Sequence, residues 1–258
     1  MNIRSVLSAG GLLMVVSAGL VLAGSPVAAQ DGNYIDAVTP YAHHQLHRYR
    51  GKEGDARAES EAATRTFEAS SKVSRELNRA LSQLLAGDTP REDVAEAANV
   101  QAVFAENPGY RALLARQIGR DARDIERNLE QGVLQSRLAD LLDKRDYATN
   151  DPVQVLNAYL ITAWRVVHDE HHDARDRSYR GLHRAMRNAE IVAPEAARQQ
   201  VSEMFGILNM LTLAAWRNAR DPEEREALRS GTLMLAKRMS GLDLQAVVLT
   251  DRGFAHRD

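Results

Sequence analysis

Apolar side chains recur along most of this chain at helical spacing and almost nowhere at strand spacing. Phe67, Val73, Leu77, Leu81 and Leu84 form a thin stripe that ends at Gly87-Asp88, which predicts an amphipathic helix starting near Asp55. Thr89-Pro90-Arg91-Glu92 places a capping side chain, a proline at the first helical position and an acid in the first turn, the pattern of a second helix running to about Glu106. Asn107-Pro108-Gly109 stops it, and a short helix is expected from Tyr110 to Ile118. After Gly119, Ile125, Leu129, Val133, Leu134, Leu138, Leu141 and Leu142 form one buried stripe, which predicts a single long helix ending at Lys144-Arg145.

Two later segments are apolar nearly all round. Asn150-Asp151-Pro152 opens the first, from Val153 to Val167, and the second runs from Glu195 to about Ala219 through Met204, Phe205, Ile207, Leu208, Leu211 and Trp216. Helices without a polar face are core helices, so these two are expected to touch. A polar helix over about 176–191 lies between them, and Asp221-Pro222-Glu223-Glu224 caps a last one through Met239. Leu244 to Thr250 holds the one β-branched cluster of the mature chain and is expected to lie as an extended strap over the helices. The fold class is mainly α, an irregular bundle of six to eight helices with a C-terminal strap.

The N-terminus has a different pattern. Met1-Asn2-Ile3-Arg4 precedes an apolar run from Val6 to Ala23, Gly24-Ser25-Pro26 breaks it, and Val27-Ala28-Ala29 supplies the small residues that a signal peptidase reads. The expected organisation is a signal peptide over 1–29, an arm over 30–54 rich in loop residues, and a helical domain over 55–258. Its first hairpin, 55–106, is expected to dock loosely because its apolar stripe is thin. Cleavage before Gln30 would leave no membrane-spanning segment, and the product would be periplasmic or secreted.

Composition removes several mechanisms. The chain has no cysteine, which excludes disulfides, a thiol nucleophile, a Cys-based metal centre and a lipoprotein anchor. A formal net charge of −2, with basic and acidic residues interspersed, leaves no electrostatic footprint for nucleic acid. There is no Gly-x-Ser-x-Gly elbow, Walker loop or dinucleotide glycine fingerprint.

One dense cluster of titratable side chains stands out, His168-Asp169-Glu170-His171-His172-Asp173. On a helix, His168 and His172 lie one turn apart with His171 beside them, a spacing that suits a divalent transition metal. The zincin motif requires Glu directly after the first His, and Asp169 stands there. His43 and His47 in the arm have the same one-turn spacing and would complete a set of imidazoles if the arm folded back. Asn157, Thr162, Asn209 and Thr212 interrupt the core helices and require hydrogen-bond partners, from a neighbouring helix or from a ligand.

The segment Asn150-Asp151-Pro152 to Trp164 and the tail from Gly241-Leu242-Asp243-Leu244 to Thr250-Asp251-Arg252-Gly253-Phe254 resemble an exported bacterial family known only as a domain of unknown function. The resemblance implies an exported helical domain and carries no activity and no site residues. The sequence therefore points to a non-enzymatic envelope or secreted binding module, with an unidentified protein partner and no cofactor. Its alternative is a metal-binding protein built on His168, His171 and His172.

Overall fold

The computed structural model describes residues 66–171, 174, 176–186 and 193–257. The signal peptide, the arm and the first residues of the helical domain, with His43, His47 and His172, lie outside these residues.

Among the described residues the chain forms α1 (Ser71–Ala86), α2 (Ala97–Glu106), α3 (Pro108–Ala115), α4 (Ala122–Glu130), α5 (Val133–Asp143), α6 (Pro152–Val167), α7 (Asp176–Ala185), α8 (Glu195–Asn218) and α9 (Pro222–Ser240). A short 3-10 turn, Leu244–Ala246, leads into β1 (Val247–Thr250) and β2 (Gly253–His256). The mainly helical class is as expected, with one helix more than the upper bound because the expected single helix after Gly119 is two.

The break falls at Gln131-Gly132, where Gly132 takes φ 67° and caps the start of α5. A left-handed residue ends the i to i−4 ladder, and glycine adopts it without a Cβ penalty. The leucine stripe nonetheless continues, because Leu129 and Leu138 are both buried.

Thr89-Pro90 does not start a helix. The amides of this stretch are taken by side chains: Arg91 N–H donates to Gln83 Oε1 at 3.0 Å and Ala95 N–H to Gln200 Oε1 at 3.0 Å. Helix α2 begins only at Ala97, after Glu96 at φ 67°. Asn107 both ends α2 and starts α3, its Oδ1 accepting from Tyr110 N–H at 3.0 Å.

The expected caps hold at α6 and α9. Asp151 Oδ1 accepts from Val153 and Gln154 N–H at 2.9 and 3.2 Å, and Asp221 Oδ1 from Glu224 N–H at 2.8 Å. Helices α6 and α8 make the most extensive helix contact of the fold. Tyr159 packs on Phe205 there with ring centroids 5.3 Å apart.

The described part of the first hairpin shares this core. Leu77, Leu81, Leu84, Val100 and Phe104 are all buried in the common cluster, and α1 packs on α4 and α8. The thin stripe suffices because the side chains on it have almost no exposure.

The C-terminal strap is a two-stranded antiparallel hairpin in which Leu249 faces Phe254 and Thr250 faces Gly253. Its turn, Asp251-Arg252, lies on α7 at Gly181, where a Cβ would meet Asp251 O at 2.4 Å. No helix among the described residues is long and apolar enough to cross a membrane.

Candidate functional site

Helices α1, α5 and α8, with the end of α4 and the loop before α6, enclose a cleft of about 400 Å³. Its rim is built first. The extended segment ahead of α1 pairs with the loop, Phe67 N–H donating to Asn150 O at 3.3 Å and Asn150 Nδ2 to Phe67 O at 3.2 Å. Glu68 N–H donates to Glu195 Oε1 at 2.7 Å.

Below the rim runs a polar ladder from α1 to α8. Gln199 accepts from Ser70 N–H and donates to Ser70 O, both at 2.9 Å. Its Nε2 also lies 2.7 Å from Glu203 Oε1, and Ser74 Oγ donates to the same oxygen at 2.8 Å. These contacts set the carboxylate of Glu203 in the cleft wall with one oxygen satisfied.

The other oxygen has no partner. Glu203 Oε2, Asn78 Oδ1 and Gln135 Oε1 are shielded from solvent without a hydrogen bond, and all three residues line this cleft. Asn78 is only 5% exposed, so solvent does not compensate it. The remaining wall is largely apolar, with Phe67, Leu129, Leu138 and Ile207. Among the described residues Glu130 and Glu203 are its charged ones, and no Lys, Arg or His lines it. A volume in the range of roughly 300–1,000 Å³, largely apolar walls and a few polar lining residues fit the physical profile of a small-molecule pocket.

These residues were not singled out by sequence, although a signal is present. Ser74 and Asn78 lie four apart on α1, one turn beyond its N-cap Ser70, and Gln199 and Glu203 lie four apart on α8, so each set shares one face. Polar residues repeating at one-turn spacing beside buried stripes mark a helix contact or a lined pocket.

The histidine cluster forms a shared end cap for α6 and α8. His168 Nε2 lies 2.9 Å from Leu244 O, which as a carbonyl only accepts, so this nitrogen carries the proton. The His168 ring also packs on Trp164 with centroids 4.6 Å apart. His171 stacks on Trp216 at 4.8 Å and 7°, and its Nε2 lies 3.3 Å from Asp169 Oδ1. Asp169, held at φ 52°, accepts from Trp216 Nε1 at 3.2 Å. Among the described residues no group of three His, Cys, Asp or Glu side chains has the geometry of a metal site.

Of the polar core residues, Thr212 Oγ1 lies 3.4 Å from the hydroxyl of Tyr110. The fully buried amides of Asn157 and Asn209 have no partner, and neither residue lines the cleft. Burial raises the pKa of Tyr110 and Tyr159 above the ordinary phenol value.

Comparison with protein-family models, with curated proteins and with solved structures finds no match.

Proposed function

We propose that this chain is an exported, non-enzymatic binding protein that holds a small molecule in the cleft between α1, α5 and α8. The observation that carries the reading is the set of unpartnered acceptors in the wall, Glu203 Oε2, Asn78 Oδ1 and Gln135 Oε1. An unpaired buried acceptor costs about 1–3 kcal/mol, more for a charged group, and a bound donor removes that cost. The sequence leads us to expect a module that binds an unidentified protein partner; a small molecule in the cleft here takes that partner's place. Export rests on the apolar run from Val6 to Ala23 and the small residues Val27-Ala28-Ala29.

Native mass spectrometry tests it. The chain recovered from its own compartment is expected to carry a small-molecule adduct that is absent after unfolding and refolding in clean buffer. Ala139 lines the cleft, so Ala139→Phe fills it and is expected to abolish readdition of the extracted compound. An adduct-free chain whose cleft amide signals stay unmoved by a cell extract would overturn the reading.

A further inference from the structure

The charge and hydrogen-bonding pattern of the cleft restrict what it takes. We infer that its ligand is a small primary amine with an apolar body, its ammonium group held on Glu203. This inference rests on the cleft being a ligand site.

The wall offers acceptors where the ligand must offer donors. The amide of Asn78 is able to rotate by a half turn and exchange donor for acceptor, whereas that of Gln135 is set by its Nε2 donating to Leu129 O at 3.5 Å. A carboxylate has no such freedom, so Glu203 decides the sign. Glu130 adds a second negative group, and among the described residues no cation lines the cleft to offset either. An anion entering here would meet like charges with no counter-ion in a partly desolvated site. A neutral apolar molecule would leave Glu203 Oε2 sealed without a partner, the costly arrangement for a charged acceptor. An ammonium supplies three donors and the opposite charge.

The rest of the ligand follows from the other walls. Phe67, Leu129, Leu138 and Ile207 offer apolar surface rather than further polar anchors. An alkyl or arylalkyl body buries against them, whereas a bare polyamine or a sugar would leave its own polar groups unpaired. Oε2 is shielded in the unliganded chain, so admitting the amine requires a side-chain rotation in the wall, an ordinary scale of change on binding.

A matched series separates this inference from the reading beneath it. 2-Phenylethylamine, 2-phenylethanol and phenylacetate share one skeleton and differ in head-group charge. Calorimetric titration of the full chain, with amide shifts locating the site, is expected to show the amine binding about tenfold or more tighter than the alcohol, and the acid not at all. In Glu203→Gln the Oε1 acceptor for Ser74 and Gln199 is retained while the free position becomes a donor. That variant is expected to melt as the wild type does and to lose the preference for the amine. The wild-type series decides the matter if the variant does not fold.

The alcohol or the acid occupying the cleft as tightly as the amine would overturn the inference and leave the binding reading standing. None of the three shifting cleft amides, while the Ala139→Phe comparison still shows a displaced adduct, would overturn it in the same way. Binding of the amine elsewhere on the surface, unaffected by Glu203→Gln, would also overturn it.

Discussion

Gln199 holds Ser70 at two points, its Oε1 accepting from the Ser70 N–H and its Nε2 donating to the Ser70 carbonyl, each at 2.9 Å. A side-chain amide thus replaces the neighbouring backbone that a strand would have, at the residue that precedes α1. Gln199 is 1% exposed, so water does not substitute when it is lost. Gln199→Leu keeps the volume and removes both bonds. It is expected to destabilise the fold by about 1–3 kcal/mol, because the Ser70 N–H loses its partner while the Ser70 carbonyl keeps the N–H of Ser74 at 3.1 Å. Chemical denaturation measures this, and amide exchange at Ser70 should lose its protection. A change under about 0.5 kcal/mol would show that the clamp contributes nothing.

The strap is held from one helix by two residues a turn apart. Trp164 Nε1 donates to Val247 O at 3.0 Å, and His168 Nε2 donates to Leu244 O at 2.9 Å. His168→Ala is expected to raise amide exchange and limited proteolysis over 244–257 while the helical content is kept. The metal content of the purified chain is expected to be the same in the wild type and in a His168→Ala/His172→Ala double variant. A metal lost with the two imidazoles, measured by elemental analysis, would return the histidine cluster to the centre of the function.

What was legible in the sequence depended on whether a pattern was local. Helices α6 and α8 were legible because Asp151-Pro152 starts one and both are apolar for turn after turn, and their mutual contact followed. The break at Gly132 was not legible, since the leucine spacing runs across it and a lone glycine inside a stripe does not reveal its φ. Nor was the strand partner of Val247–Thr250. Gly253-Phe254-Ala255-His256 lacks β-branched alternation, and it pairs because the Asp251-Arg252 turn brings it back onto α7. The cleft was hidden for a different reason. Asn78, Gln135 and Glu203 belong to three helices, and each alone looks like part of a solvated face. His168 and His171 drew notice because they crowd together in sequence, yet their rings serve different contacts.

Tyr110 leaves no room at Gly231. A Cβ there would lie 2.1 Å from Tyr110 Cγ and 2.4 Å from its Cβ, both close to the backbone of a fully buried residue. Gly231→Ala normally favours a helix by roughly 0.5–1 kcal/mol. Here overpacking should win, with a net loss of about 1–3 kcal/mol. Combining it with Tyr110→Ala, which removes the Cγ and Cδ1 that crowd the new Cβ, should cost less than the sum of the two single changes. Additive losses in a double-mutant cycle would show that the two side chains do not compete.

Stability should fall on the alkaline side through tyrosines buried as neutral phenols. Burial raises the pKa of Tyr110, Tyr147 and Tyr159 in the folded chain, while in the unfolded chain a phenol ionises near 10. A raised folded value means that the folded state binds the proton more tightly. The contribution is therefore intact below about pH 10 and is lost as the pH rises beyond it, by up to about 1.4 kcal/mol per pH unit for each such group. Two substitutions divide this effect from ordinary hydrogen bonding. Tyr147 donates to Tyr179 O at 2.6 Å, so Tyr147→Phe should cost about 1 kcal/mol at neutral pH and also flatten the alkaline slope. The hydroxyl of Tyr159 is buried with no partner in hydrogen-bond geometry. Tyr159→Phe should flatten the slope equally while leaving neutral stability unchanged or slightly higher. Denaturant titrations at pH 7, 10 and 11 give both quantities, and a Tyr159→Phe variant with the wild-type slope would show that this phenol ionises as freely in the fold as outside it.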